Sequence, residues 1–243
     1  MASVDRRPNG KWRARWREYP GGPQKAKHFN RKLDAERHLV EVQHLLMSGT
    51  YVPPELARVT LGIYAEQYIG RLPWRRSSAY AVANALTPVR AEFGRRPLGT
   101  IRKGDVQAFV TKLAQSRAPG GVAVVFQHFN ALLGAAVEDG LIARNPAKGV
   151  KLPSRSAGEV VPPIPAQVAA LYDGAEEWLR PAVVLGAGLG LRQGEVSGLT
   201  ADRIDWLGRT VRVDRQWNSR RGAAEFGPPK SVSSNRTIPA SAF

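Results

Sequence analysis

Proline partitions this chain more strongly than any other feature. Tyr51-Val52-Pro53-Pro54 forms a stiff connector, and prolines 146, 153, 162, 163 and 165 crowd a second interval between Asn145 and Pro165. Proline has no backbone N–H to give to a helix interior or a central strand, so regular elements must end on either side of each interval. Three segments remain.

The first segment predicts a small sheet followed by a helix. In Lys11-Trp12-Arg13-Ala14-Arg15-Trp16-Arg17 the side chains alternate strictly. Period two puts Lys11, Arg13, Arg15 and Arg17 on one face of a strand and Trp12, Ala14 and Trp16 on the other. Residues two apart on a strand lie about 6.7 Å apart, close to two base steps of duplex at about 3.4 Å each. Such a row of cations can meet successive phosphates while the tryptophans bury. These four cations come without one acid on that face, and DNA contact is favoured over a merely solvated face. Gly21-Gly22 makes a turn, and Lys25-Ala26-Lys27-His28-Phe29 reads as a returning strand whose lysines join the DNA-binding set. Ala35, Leu39, Val42 and Leu46 then mark one stripe of a helix that stops near Gly49. His28, His38 and His44 have no ligand spacing, so no metal is expected.

The second segment predicts a helical bundle. Thr60 is a plausible N-cap for a helix carrying Leu61, Tyr64, Ala65, Tyr68 and Leu72. A second helix follows Ser77-Ser78 with Tyr80, Leu86 and Phe93, and Pro88 is expected to bend or interrupt it. Val106, Phe109, Val110 and Leu113 mark a third, and Val125, Phe129, Leu132, Leu133 and Ala136 a fourth that ends at Gly140. The cations Arg71, Arg75, Arg76, Arg90, Arg95, Arg96, Arg102 and Lys103 fall mostly at helix ends and turns. Phosphate contact at helix ends uses cations in that way, and so does ordinary solvation.

Charge supports a polyanionic partner. The chain has 36 Lys and Arg against 20 Asp and Glu, a net charge of +16. Residues 1–59 hold 12 basic against 6 acidic residues, residues 60–150 hold 12 against 5, and residues 151–243 hold 12 against 9. A disordered basic tail would concentrate the excess at one end; here it is spread, as on a protein lying along an extended polyanion. A ribosomal-type or solubilising surface is the bland alternative. With zero cysteines, a disulfide scaffold, a thiolate nucleophile and a Cys-ligated metal are excluded. No apolar run approaches the roughly 18 to 20 residues of a membrane span, and MASVDRRPNGKW has no secretory h-region. The expectation is a cytoplasmic protein without a membrane partner or cofactor.

In the third segment a helix is expected from Ala166 through Trp178, with Pro181 at a further helix start, and Arg209-Thr210-Val211-Arg212-Val213-Asp214 alternates like a strand. Gly186-Ala187-Gly188-Leu189-Gly190-Leu191-Arg192 lacks the third glycine of a dinucleotide fingerprint, because position 191 is Leu. It is not a phosphate-binding loop of the Gly-Lys-Ser/Thr type either, since Gly194 is followed by Glu195.

Taken in order, these segments resemble the tyrosine site-specific recombinases, the phage integrases in particular. Residues 1–52 look like a small α+β arm-type DNA-binding domain, a three-stranded sheet plus a helix. Residues 60–150, closing in Glu138-Asp139-Gly140-Leu141-Ile142-Ala143-Arg144-Asn145-Pro146, look like the all-α, four-helix, SAM-like core-binding domain. After a linker at 151–165, residues 166–243 look like the first half of the catalytic domain, mostly helical with a β-hairpin. Its first box is matched by Gly188-Leu189-Gly190-Leu191-Arg192-Gln193-Gly194-Glu195-Val196-Ser197-Gly198-Leu199 and Asp202-Arg203-Ile204-Asp205. Its lysine segment is matched by Pro229-Lys230-Ser231-Val232-Ser233-Ser234-Asn235-Arg236-Thr237-Ile238-Pro239.

The resemblance implies roles. Arg192 matches the first catalytic arginine, whose planar guanidinium neutralises charge building on the nonbridging phosphate oxygens. Glu195, one helical turn on, supports it by orienting the guanidinium or its helix. Lys230 is implied as general acid to the departing 5′ oxygen. The partners implied are double-stranded DNA at attachment sites, full-length recombinase protomers and accessory DNA-bending proteins, in a bacterial host cytoplasm. The departure is large: after Lys230 there is neither histidine nor tyrosine, and all six tyrosines precede Arg192. The expectation is therefore an integrase truncated within its catalytic domain, which binds DNA without cleaving it. A non-catalytic regulator that competes with a full-length recombinase is the alternative, and a nonspecific basic architectural protein a third.

Overall fold

The alternation around Trp12 does become a strand. β1 (Ser3–Arg6), β2 (Trp12–Arg17) and β3 (Gln24–Phe29) form an antiparallel sheet in the order β1-β2-β3, with Ser3 opposite Arg15 and Trp12 opposite Phe29. The helix α1 (Lys32–Met47) packs on it and buries Ala35 and Val42 with Ala14 and Trp16. Gly49, at φ 66°, lies just past the helix end. The computed structural model describes residues 2–71, 76–154, 158, 160–220 and 223–240 and divides into two units, Met1–Ala157 and Gly158–Phe243.

The rest of the first unit is helical: α2 (Leu61–Arg71), α3 (Arg76–Phe93), α4 (Lys103–Ala114) and α5 (Pro119–Glu138). Their shared core includes Leu61, Tyr64, Leu86, Val89, Phe93, Val106, Phe109, Phe129, Leu132 and Leu133. Phe93, Phe109 and Phe129 meet with ring centroids 5.4 to 6.0 Å apart, a spacing typical of favourable aromatic pairs. By length and composition α5 could cross a bilayer, contrary to the run-length expectation, yet its apolar residues supply the centre of this core. Gly140 ends that region at φ 70°.

Two local expectations need correction, and a third is untested. Of the bend or interruption expected at Pro88, the interruption does not occur: the proline lies inside α3, because Leu86, Val89 and Phe93 on both sides of it are buried against the bundle, and that packing outweighs the lost backbone hydrogen bond. Tyr80 is more than half exposed rather than core. Leu72 lies outside the described residues.

The second unit begins with α6 (Pro165–Gly174), which stops four residues short of Trp178 because Ala175 turns extended. α7 (Arg180–Leu189) follows with Pro181 in its first turn, then the short α8 (Gln193–Gly198). β4 (Ile204–Asp205) and β5 (Thr210–Val213) pair antiparallel. β6 (Gln216–Arg220) and β7 (Ala223–Gly227) make a separate hairpin, and β8 (Arg236–Pro239) returns to the other edge of β5. The core here is thin: Leu191, Val211 and Val213 are buried, with Leu185, Leu189, Val196, Leu199, Ile204 and Ile238 packed against them. Neither α6 nor α7 has a fully buried residue, and Leu171, Trp178, Trp206 and Leu207 are exposed.

Candidate functional site

Arg192 owes its position to its neighbours in the chain. Gly190 ends α7 in the left-handed conformation, at φ 64°, which costs glycine little. Leu191 is then buried as an anchor, and Arg192 stands in extended backbone just before α8. Glu195 reaches back to accept the Arg192 backbone N–H at Oε2, 3.0 Å away, and the Arg192 guanidinium donates Nη1 to Oε1 at 3.0 Å. The carboxylate is 3% exposed whereas the Arg192 side chain is 64% exposed. The acid is thus an internal support and the guanidinium remains open to an anion.

A second arginine completes this support. Arg236, at the start of β8, donates Nη2 to Glu195 Oε2 at 3.0 Å and Nη1 to Oε1 at 3.2 Å. Burial alone would raise the Glu195 carboxyl, but the Arg236 guanidinium, the Arg192 backbone N–H and the Arg192 guanidinium together outweigh it and hold the group at about 2. Arg236 Nη1 also reaches the Ser234 carbonyl at 3.0 Å, and Arg192 Nη1 lies 3.5 Å from Ser234 Oγ. Ser234 Oγ in turn is 2.9 Å from Ser231 Oγ. Through these contacts the segment that follows the exposed Lys230 is drawn onto Arg192. Two guanidinia on one carboxylate leave one net positive charge, the arrangement a phosphate would seek.

Arg236 and Ser234 were given no role by the sequence, because the signal appears only once the strands are paired. Strand register places Arg236 opposite Val213 and Ile238 opposite Val211, on the face of the buried valines. A cation on an inward face needs an internal acid.

The hairpin bears on the same helix. A Cβ on Gly198 would come within 2.7 Å of the Trp217 backbone N, so α8 lies directly against β6. Arg215 donates to the Gly198 carbonyl at 3.2 Å and stacks its guanidinium 4.7 Å from the Phe226 ring centroid.

The cationic face of the first sheet is less free than its sequence suggests. The pairing of β1 puts Asp5 opposite Arg13, on the arginine face. Arg13 Nη2 meets Asp5 at 2.8 Å and Arg15 Nε at 3.2 Å, and the hydrogen bond from Arg13 holds the Asp5 carboxyl below its ordinary value. Arg17 is exposed and also bonds the Gly22 carbonyl. Lys11 is exposed at the turn before β2. Lys25 and Lys27 are opposite Trp16 and Ala14, so register assigns them to the helix-covered face rather than the arginine face. Lys25 sits between Glu18, at 2.8 Å, and Glu55, at 3.0 Å, and these partners raise it above the ordinary lysine value. Lys27 is exposed, with its ammonium 5.5 Å from the Phe29 ring centroid.

Among the helical cations, Arg96 is tied to Asp105 at 2.9 Å, and Arg71 and Arg90 are likewise engaged, by Asp139 and Glu66. Arg95, Arg102 and Lys103 are exposed, the last two where α4 begins. Arg75 lies outside the described residues, as does the Arg76 side chain.

No protein-family model and no curated protein matches the sequence. Solved structures do. The Tn1549 transposon integrase in complex with transposon right end DNA superposes with a TM-score of 0.64 at 22% identity, covering 74% of this chain and 61% of that one. The lambda integrase dimer bound to a COC' core site gives 0.57 at 17% identity, covering 93% of this chain and 65% of that one. This chain therefore covers less than two thirds of each of those solved chains. The matched residues adopt part of the fold seen in these integrases.

Proposed function

We propose that these residues are the DNA-holding part of a tyrosine site-specific recombinase, acting on double-stranded DNA at attachment sites. In this reading residues 1–52 grip arm sites, residues 60–150 hold the core site, and residues 166–243 belong to the catalytic domain. Arg192 is assigned to the scissile phosphate, Glu195 to its orientation, and Lys230 to protonation of the departing 5′ oxygen. Arg13, Arg15, Arg17, Lys11, Arg95, Arg102 and Lys103 supply backbone contacts that place the protein on the duplex. The observation that carries the proposal is the open Arg192 guanidinium fixed on a buried carboxylate, in a fold shared with DNA-bound integrases.

The same residues hold no tyrosine beyond Arg192, and without a nucleophile no covalent intermediate forms. The 243-residue chain is thus proposed to bind DNA without cutting it. A competitor of a full-length recombinase would show the same behaviour, in the same setting of a bacterial host cytoplasm. Incubation with nicked attachment-site DNA tests the proposal: no protein–DNA adduct is expected, and an adduct would overturn it. Binding titrations at several salt concentrations are expected to favour attachment-site over random duplex, and a specificity ratio near one would instead indicate a nonspecific architectural protein.

A further inference from the structure

We infer that Arg236 is a positioning residue, which takes up the Glu195 carboxylate in a two-pronged ion pair and so keeps the Arg192 guanidinium available to a phosphate. The inference rests on the assignment of Arg192 to a phosphate and adds a residue to that site.

Both oxygens of Glu195 are doubly occupied. Oε1 accepts from Arg192 Nη1 at 3.0 Å and Arg236 Nη1 at 3.2 Å, while Oε2 accepts from the Arg192 backbone N–H and Arg236 Nη2, each at 3.0 Å. The two arginines differ in exposure: the Arg236 side chain is 30% exposed and Arg192 64%. Arg236 is the inner partner, with a further bond to the Ser234 carbonyl. Among the described residues the side-chain hydrogen bonds of Arg192 all run through Nη1. Its Nε and Nη2 form the other edge of the fork, the edge that can take two phosphate oxygens at once.

Removing Arg236 changes that balance. A buried carboxylate facing one guanidinium forms a closed pair without net charge, and the pair competes with any phosphate for the same cation. With Arg236 present, the carboxylate is already neutralised and Arg192 is merely steered by it. The same contact anchors β8 beside the segment after Lys230, so one arginine serves charge and placement together.

Salt-dependent binding of the full chain to a linear duplex of arbitrary sequence tests this. Each phosphate contact contributes about 0.9 to the slope of log affinity against log salt. R192Q is expected to lower the slope by about that amount. R236Q should lower it equally, with affinity about tenfold weaker at low salt. R236K, charged but without the fork, should fall between R236Q and the wild type. The deciding variant is E195Q/R236Q: with no carboxylate to capture Arg192, it should regain the wild-type slope. It also leaves no buried unpaired charge, so it stays readable even if R236Q alone melts early. A wild-type slope in R236Q, or a double variant as weak as R236Q, would overturn the inference. If R192Q itself leaves the slope unchanged, the phosphate assignment fails and the inference falls with it.

Discussion

Arg192 and Glu195 are 3.0 Å apart, one open to solvent and the other sealed from it. This asymmetry makes the pair sensitive to acid. The Glu195 carboxyl is held at about 2 against an ordinary 4.5, so its contribution to stability is complete above pH about 4.5 and disappears as pH falls through about 2. Glu195→Gln should be less stable at pH 7 by about 3–5 kcal/mol, since it removes the charge both guanidinia use. Its stability should also fall less steeply than the wild type's between pH 4.5 and 2. Parallel acid titrations of the two melting temperatures check the point, and identical slopes would contradict it.

Two glycines of α8 should respond differently to a methyl group. At Gly198 a Cβ would meet the Trp217 backbone N at 2.7 Å and Gln216 Cα at 2.9 Å, neither of which can yield as a flexible side chain would. Gly198→Ala should cost about 1–3 kcal/mol. At Gly194 the nearest atom lies 3.5 Å away, an ordinary contact, and Gly194→Ala should be neutral or mildly stabilising in the helix. Chemical denaturation of both variants measures the contrast.

Asp5 restrains the arginine face of the first sheet. Asp5→Asn releases Arg13 and Arg15 from a carboxylate 2.8 and 3.2 Å away. Affinity for duplex should rise, and the salt slope should steepen by up to about 0.9 for each phosphate newly engaged. A fluorescence anisotropy titration at three salt concentrations suffices, and unchanged binding would exclude this face from the interface.

Protection from hydrogen exchange should be uneven. The helices α4 and α5 carry Val106, Phe109, Phe129, Leu132 and Leu133 into a dense core, whereas α6 and α7 have no fully buried residue. Amides of α6 and α7 should exchange well before those of α4 and α5. Equal protection in the two regions would mean that the exposed apolar residues of the second unit are covered in solution.

What could be read from the sequence was local. The alternation from Trp12 to Arg17 and the stripes of α1, α4 and α5 depend on near neighbours, and they survive in the fold. What escaped depends on register or on distant packing. Asp5 reaches the arginine face only once β1 pairs with β2, and Lys25 and Lys27 are placed on the covered face by the pairing of β3. Pro88 breaks a helix by propensity, but buried residues on both sides hold α3 together. In the candidate site, Arg192 and Glu195 are one turn apart and legible, whereas Arg236 lies 41 residues beyond Glu195 and enters only through the edge of β5.

The exposed Leu171, Trp178, Trp206 and Leu207 also govern how the chain behaves as a solution. Large apolar side chains left open to water recruit hydrophobic dyes and promote colloidal association as concentration rises, while a net charge of +16 opposes contact between copies at low ionic strength. Added salt therefore works in two directions, weakening the proposed hold on nucleic acid and removing the repulsion that keeps the chains apart.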